Sequence, residues 1–265
     1  MKLLFLGSGT SHGVPVIGCE CPVCTSADPR NRRTRASVLV RGGEAALLID
    51  TPPDYREQML RHRIRQVDAI LFTHGHADHI FGLDDVRIMC NWRKAPMPVY
   101  GSAETLAQIR RKFDYIFETK DFSRGWDVPR LTVHPLDGPQ QIAGVEVIPV
   151  PIRHGCATIL GYRIGGLAYL TDCSGVPDET MPLLLGLDTV VVGAIRHERH
   201  PTHFSLGEAL ALVERLKARR AYITHISHRL EHVATEANLP AHVRLAYDGL
   251  EVEFPGCDNG DGESS

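Results

Sequence analysis

Short apolar runs recur along the chain, and most of them end abruptly in a polar or charged residue. Runs of this length, rich in Val, Ile, Leu and aromatic residues and flanked by Gly, Pro or Asp, predict buried β-strands. They fall at 2–6, 36–40, 45–50, 67–72, 97–100, 131–135, 145–150, 160–164, 167–170, 189–195, 221–224, 244–247 and 251–254. Arg41-Gly42-Gly43-Glu44 has the composition of a hairpin turn between the second and third runs. Helical spacing appears at 54–63, with Asp54 as its cap, from Ile80 to about Arg87, at 102–112 and at 205–218. Segment 113–130 is aromatic and irregular and reads as a cover near a substrate opening, and the Gly-rich stretch 256–265 reads as a disordered tail. No linker or shift in composition divides residues 1–255, so one domain of two packed sheets with helices outside is expected.

Composition narrows the function classes. Of 265 residues, 43% are hydrophobic and 23% charged, the balance of a water-soluble globular protein. No run approaches the ~18 apolar residues of a membrane helix, so no membrane partner is expected. The first apolar run lacks a small-residue cleavage pattern and reads as a strand, not a signal peptide. A net charge of −3 supplies no global attraction to nucleic acid. Seven cysteines, three of them in one short loop, favour metal-bound thiolates in a reducing compartment, and hence the cytoplasm.

The chemistry concentrates at the ends of the apolar runs. Thr73-His74-Gly75-His76-Ala77-Asp78-His79 places four metal-capable side chains directly after the run at 67–72. His154, Asp172 and His225 follow later runs in the same way, and Asp50 ends an earlier one. His74, His76, Asp78, His79, His154, Asp172 and His225 are too many ligands for one zinc, which takes four or five, but suit two divalent ions. Asp172, the isolated acid of the set, is the natural bridge. Such a pair of ions, zinc or manganese, supports hydrolysis by a bridging hydroxide, although a redox di-iron centre uses related ligands. Asp50 needs a partner to tolerate burial after Leu47-Leu48-Ile49. Cys19, Cys21 and Cys24 form a second cluster that suits a tetrahedral zinc lacking one ligand, for which a histidine is the natural candidate. Arg30, Arg32, Arg33 and Arg35 read as a solvated basic run in which one member could face a phosphate, and His12 lies in a Gly-rich turn.

The stretch from Thr73 to His79 resembles the HxHxDH motif of the metallo-β-lactamase superfamily, with His154, Asp172 and His225 matching the later ligands in order. The resemblance implies an α/β fold, a four-layer αββα sandwich. It implies that His74, His76 and His154 hold one metal, Asp78, His79 and His225 the other, and that Asp172 bridges them. Within that superfamily, Gly13-Val14-Pro15, Gly18-Cys19-Glu20-Cys21-Pro22-Val23-Cys24 and Thr224-His225-Ile226-Ser227-His228 resemble the phosphoribosyl 1,2-cyclic phosphate phosphodiesterases of phosphonate breakdown. This resemblance implies a structural zinc on Cys19, Cys21, Cys24 and His228, and a small phosphorylated substrate. The implied catalytic set is Asp78, His203 as general acid, and Asp50 as the brace of the metal loop, with His197 and His200 as alternatives to His203. Ser11-His12 departs from the subfamily's pattern. The competing readings are a tRNA-processing nuclease, for which no long basic arm is present, and a glyoxalase-type thioesterase, which the cysteine loop does not support. The sequence leaves a homodimer open.

Overall fold

The computed structural model describes residues 1–118 and 127–256. Among these residues, fourteen strands lie in two seven-stranded sheets. The first sheet contains β1 (Lys2–Gly7), β2 (Ser37–Gly42), β3 (Ala45–Ile49), β4 (Ala69–Leu71), β5 (Met97–Gly101), β6 (Leu131–Pro135) and β14 (Glu251–Glu253), in the order β14-β1-β2-β3-β4-β5-β6. The second contains β7 (Gln140–Ile142), β8 (Val145–His154), β9 (Ala157–Ile164), β10 (Leu167–Leu170), β11 (Thr189–Gly193), β12 (Arg220–Thr224) and β13 (Val243–Leu245), in the order β13-β12-β11-β10-β9-β8-β7. Each sheet begins with antiparallel neighbours and then turns parallel, β3 to β6 in the first and β10 to β13 in the second. Parallel strands share a direction, so each sheet gathers several C-terminal strand ends along one edge.

The strands are apolar on both faces because both faces are covered. Leu3, Phe5, Leu47 and Ile49 point between the sheets and meet Val147, Tyr162, Leu167 and Tyr169. Leu4, Leu6 and Leu48 point the other way, toward α1 (Tyr55–Arg61), α3 (Arg87–Arg93) and α4 (Ala103–Lys112). On the far side, α6 (Leu206–Leu216) turns Leu206, Ala209, Leu212, Val213 and Leu216 onto the second sheet, the spacing of an amphipathic helix. Each large side chain so buried contributes about 1.5–3 kcal/mol. Ser205 and Glu208 close a capping box at its start. This is the four-layer α/β sandwich expected.

Several local expectations change. Asp54 makes no side-chain cap of α1; its carboxylate instead accepts from the backbone N–H of Arg35 (2.8 Å) and from Arg35 Nη1 (2.9 Å). The helix expected from Ile80 is two pieces, α2 (Ala77–Ile80) and α3, with a 3₁₀ turn at Leu83–Val86 between them. The irregular cover at 113–130 opens with a helix, α5 (Asp114–Glu118); residues 119–126 lie outside the described residues, as do 257–265 of the expected tail. The strand 145–150 runs on to His154, because pairing with β9 continues to the hairpin. Of the arginine run, Arg33 is 3% exposed and donates to Ser8 Oγ (2.9 Å) and the Ala246 carbonyl, so it belongs to the core and not to a solvated face. No helix among the described residues is long and apolar enough to cross a membrane.

Candidate metal centre

The two sheets touch where the metal-capable loop leaves β4. The Tyr162 hydroxyl donates to the Phe72 carbonyl (2.6 Å), and the Leu160 N–H donates to the Thr73 carbonyl (3.1 Å). Strand ends from both sheets therefore face one space. Asp50 follows β3, His154 closes β8, Asp172 follows β10 and His225 follows β12. Asp50, Asp172 and His225 all have left-handed backbone, at φ 64°, 53° and 57°. Non-glycine residues rarely adopt it, and it persists only where surrounding structure holds it. Gly193 at the end of β11 admits the turn at Asp172: a Cβ there would sit 3.0 Å from the Asp172 nitrogen.

Asp50 is fully buried and accepts three bonds, from Thr73 N (2.8 Å), Thr73 Oγ1 (2.8 Å) and His79 Nδ1 (2.7 Å). Burial raises its pKa against the pull of His79 and Thr73. Its work is orientation: with Nδ1 engaged, His79 turns Nε2 to the shared space. His154 is set the same way, Nδ1 donating to the Thr202 carbonyl (2.7 Å). Thr73 and Thr202 were not singled out in the sequence. Thr73 adjoins the motif, which is a signal of a kind, but nothing marks Thr202, 48 residues from His154.

The candidate ligand atoms cluster in overlapping groups. His74, His76 and His154 form one, and Asp78, His79 and His225 another, with ligand atoms inside 4.8 Å of each other in each group. Asp172 joins His74 and His79 in a third group, and His154 and His203 in a fourth, and so stands between the first two. His79 Nε2 is 3.1 Å from Asp172 Oδ2, and His225 Nε2 is 3.3 Å from Asp172 Oδ1. Yet both nitrogens are buried without a hydrogen bond of acceptable geometry among the described residues. Buried polar atoms are seldom left so. Nitrogens and carboxylates that face common space without bonding one another fit a divalent cation.

Electrostatics agree with this fit. Burial, then its histidine neighbours, holds His74 well below the usual imidazole range. His79 is driven well above it: burial opposes the charge, but Asp172 and Asp50 outweigh burial. Asp172 is held low in turn, His225 and His79 outweighing its burial. Cation uptake is thus expected to displace a proton from His79. Metal affinity is therefore expected to fall as pH falls. A zinc titration of metal-free protein in weak buffer should release protons, and proton-neutral uptake would contradict this electrostatic reading.

The cysteine loop makes a separate group. Cys19, Cys21 and Cys24 Sγ lie 3.3, 3.5 and 3.5 Å from His228 Nδ1. A tetrahedral zinc with bonds of about 2.3 Å to sulfur and 2.0 Å to nitrogen has S···N edges of about 3.5 Å. The backbone N–H of Cys24 pulls the Cys21 thiol down to about 6, and burial pushes Cys24 up to about 11.

Of the three later histidines, His203 reaches the cluster: Nδ1 is 3.5 Å from Asp172 Oδ1 and the ring stacks on His225 at 5.0 Å. Burial, then His225, pushes its imidazole down to about 3. His200 packs behind it at 5.0 Å, and His197 faces a different cavity of about 480 Å³ beside α6. His12 is exposed in the turn near Ile226.

The family described as "Beta-lactamase superfamily domain" matches residues 46–226, most of the chain and all of the central ligands. The chain belongs to the metallo-β-lactamase superfamily. Its fold is similar to a crystal structure described as a new diphosphatase from the PhnP family, with a TM-score of 0.90 and 46% identity over 97% of this chain and 98% of that one. Zn²⁺-bound PqqB from Methylobacterium extorquens shares the fold alone, at a TM-score of 0.75 and 22% identity over 96% of this chain and 100% of that one. By sequence, an octanoyltransferase of Porphyromonas gingivalis is 37% identical over 95% of this chain, but the chain spans only 51% of that relative's length. Superfamily membership and the PhnP-family neighbour support a metal-dependent hydrolase.

Proposed function

We propose that the protein hydrolyses a small phosphodiester of the sugar-phosphate type, a phosphoribosyl 1,2-cyclic phosphate being the model substrate. His74, His76 and His154 would hold one divalent metal, Asp78, His79 and His225 the other, and Asp172 would bridge them. Cys19, Cys21, Cys24 and His228 would hold a structural zinc. The observation that carries the reading is the likeness to the PhnP-family diphosphatase across nearly the whole of both chains. A second reading, cleavage of a diphosphate link, is favoured by that neighbour's own description. Both place the reaction at phosphorus.

Divalent ions bound here would supply Lewis acidity toward phosphoryl oxygens and lower the pKa of a coordinated water. The remaining work belongs to the chain. Asp50 and the Thr202 carbonyl orient His79 and His154, two of the seven ligands. His203, beside Asp172 and 14% exposed, would bring a proton to the departing oxygen. Burial lowers the affinity of its imidazole for a proton, and an anionic phosphoryl group beside it would raise that affinity again. His203→Ala is expected to lower kcat by roughly 10²–10⁴ with metal content unchanged. A larger loss from His200→Ala would reassign the acid. The thiols of Cys19, Cys21 and Cys24 remain available for zinc only in a reducing setting such as the cytoplasm. Cys21→Ser is expected to remove about one zinc per chain and destabilise the fold, and metal analysis beside thermal melting checks both.

The test of the reaction class is a substrate panel: bis(p-nitrophenyl) phosphate, a nucleoside diphosphate derivative and a thioester, each with metals loaded. Turnover of the first supports the phosphodiesterase reading, and of the second alone the diphosphatase reading. Turnover of the thioester alone sinks both.

A further inference from the structure

The segment that carries His225 also carries His228, and what lies between them ties two clusters together. Ile226 donates its N–H to the Ser8 carbonyl (2.9 Å) and accepts at its carbonyl from Thr10 N (3.2 Å). Ser227 N donates to the Ile195 carbonyl (3.1 Å). The turn after Ser8, held by Gly13 N to Thr10 O (2.8 Å) and Val14 N to Arg33 O (2.8 Å), leads toward the cysteine loop. His225 holds left-handed backbone, a conformation that relaxes when its surroundings stop imposing it.

Within the loop, Cys21-Pro22-Val23-Cys24 forms one helical turn, Thr25 N donating to the Cys21 carbonyl (3.1 Å). Residues three apart on such a turn face each other, and the Cys24 N–H points at Cys21 Sγ (3.5 Å). Cys21 is half-exposed and Cys24 sits deeper, and their sulfurs lie within 4.8 Å. The same pair that would hold a zinc is thus placed to form a disulfide, which would remove two of four ligands at once.

We propose that Cys21 and Cys24 are a peroxide-sensitive modification site: their oxidation to a disulfide ejects the loop's zinc and loosens His225 in the metal centre. The inference rests on the reading of the cysteine loop as a zinc site. The thiolate of Cys21 attacks a hydroperoxide oxygen; the O–O bond breaks, Cys21 becomes a sulfenic acid, and hydroxide, or an alkoxide, leaves. The Cys24 thiol then attacks the Cys21 sulfur, giving the Cys21–Cys24 disulfide and water. Two electrons pass from the pair of thiols to the peroxide, and a dithiol reductant reverses the change. With its zinc gone, His228 no longer anchors residues 225–228 to the loop.

The test treats the metal-loaded full-length chain with hydrogen peroxide. Zinc release is followed with a chromogenic chelator, disulfides are mapped by mass spectrometry, and amide exchange is read at Ile226 and Ser227. The expected result is about one zinc released per Cys21–Cys24 disulfide, faster exchange at both amides, and recovery after dithiothreitol and zinc. These readouts need no substrate, so failure of the phosphodiesterase reading leaves them intact. The same outcome is expected of Cys156→Ser, which removes the exposed thiol of the β8–β9 hairpin. Zinc retained while Cys21 and Cys24 stay reduced, or a disulfide between them with unchanged exchange at Ile226, overturns the proposal.

Discussion

Asp172→Ala is expected to cut phosphodiester turnover by roughly three orders of magnitude, the several kcal/mol of charge stabilisation that a bound divalent ion supplies. The Asp172 carboxylate stands between the two histidine groups. Its Oδ2 approaches His79 and its Oδ1 approaches His225 and His203, while Thr171 Oγ1 donates to Oδ2 (2.9 Å) and fixes the rotamer. The substitution removes the carboxylate but leaves His79 bonded to Asp50, so the fold should persist. The loss should accompany weaker metal retention, and Asp172→Asn should behave similarly, because shape without charge does not hold two cations together. Steady-state rates and metal analysis of both variants check this. Activity within about tenfold of the parent, with metals retained, would place the bridge elsewhere.

Arg33→Met is expected to destabilise the protein by about 3–5 kcal/mol, the cost of breaking a buried charge network from one side. Arg33 Nη1 donates to Ser8 Oγ, which donates on to Asp248 Oδ1 (2.8 Å), and Nη2 lies 3.0 Å from His232 Nδ1. Asp248 also accepts from Thr34 N (2.8 Å) and Thr34 Oγ1 (2.7 Å). Burial raises the pKa of that carboxyl against these bonds and the charge of Arg33. Methionine fills much of the volume but leaves Asp248 without its buried cation. The network joins the start of the chain to residues 232–248, so denaturant unfolding should show the loss as a lower midpoint with unchanged slope. A change below about 1 kcal/mol would mean the charges were already solvated.

The layered fold was legible because nearly every strand is a short apolar run ended by a polar residue, a pattern that burial on both faces demands. The ligands were legible for the same reason: His74, His154, Asp172 and His225 stand where such runs stop. What the sequence concealed is of two kinds. Backbone conformation leaves no mark when an aspartate or histidine takes the left-handed region that glycine usually signals, as at Asp50, Asp172 and His225. Long-range partners leave none either. Arg33 stands in an arginine run and reads as solvated, but its partners lie at Ala246 and His232. Thr202 orients His154 through a carbonyl that every residue possesses. Asp54 has the composition of a helix cap, but its carboxylate went to Arg35, whose charge and N–H together outcompete a helix end.

Two divalent ions held around Asp172 are expected to drive hydrolysis at phosphorus. The most direct measurement strips the chain of metal at the centre, titrates it with manganese or zinc, and follows bis(p-nitrophenyl) phosphate turnover against bound metal. No turnover is expected at the start, and then a rise that saturates at about two ions per chain beyond the one in the cysteine loop. Turnover that does not depend on added metal, or none with every site filled, would contradict it.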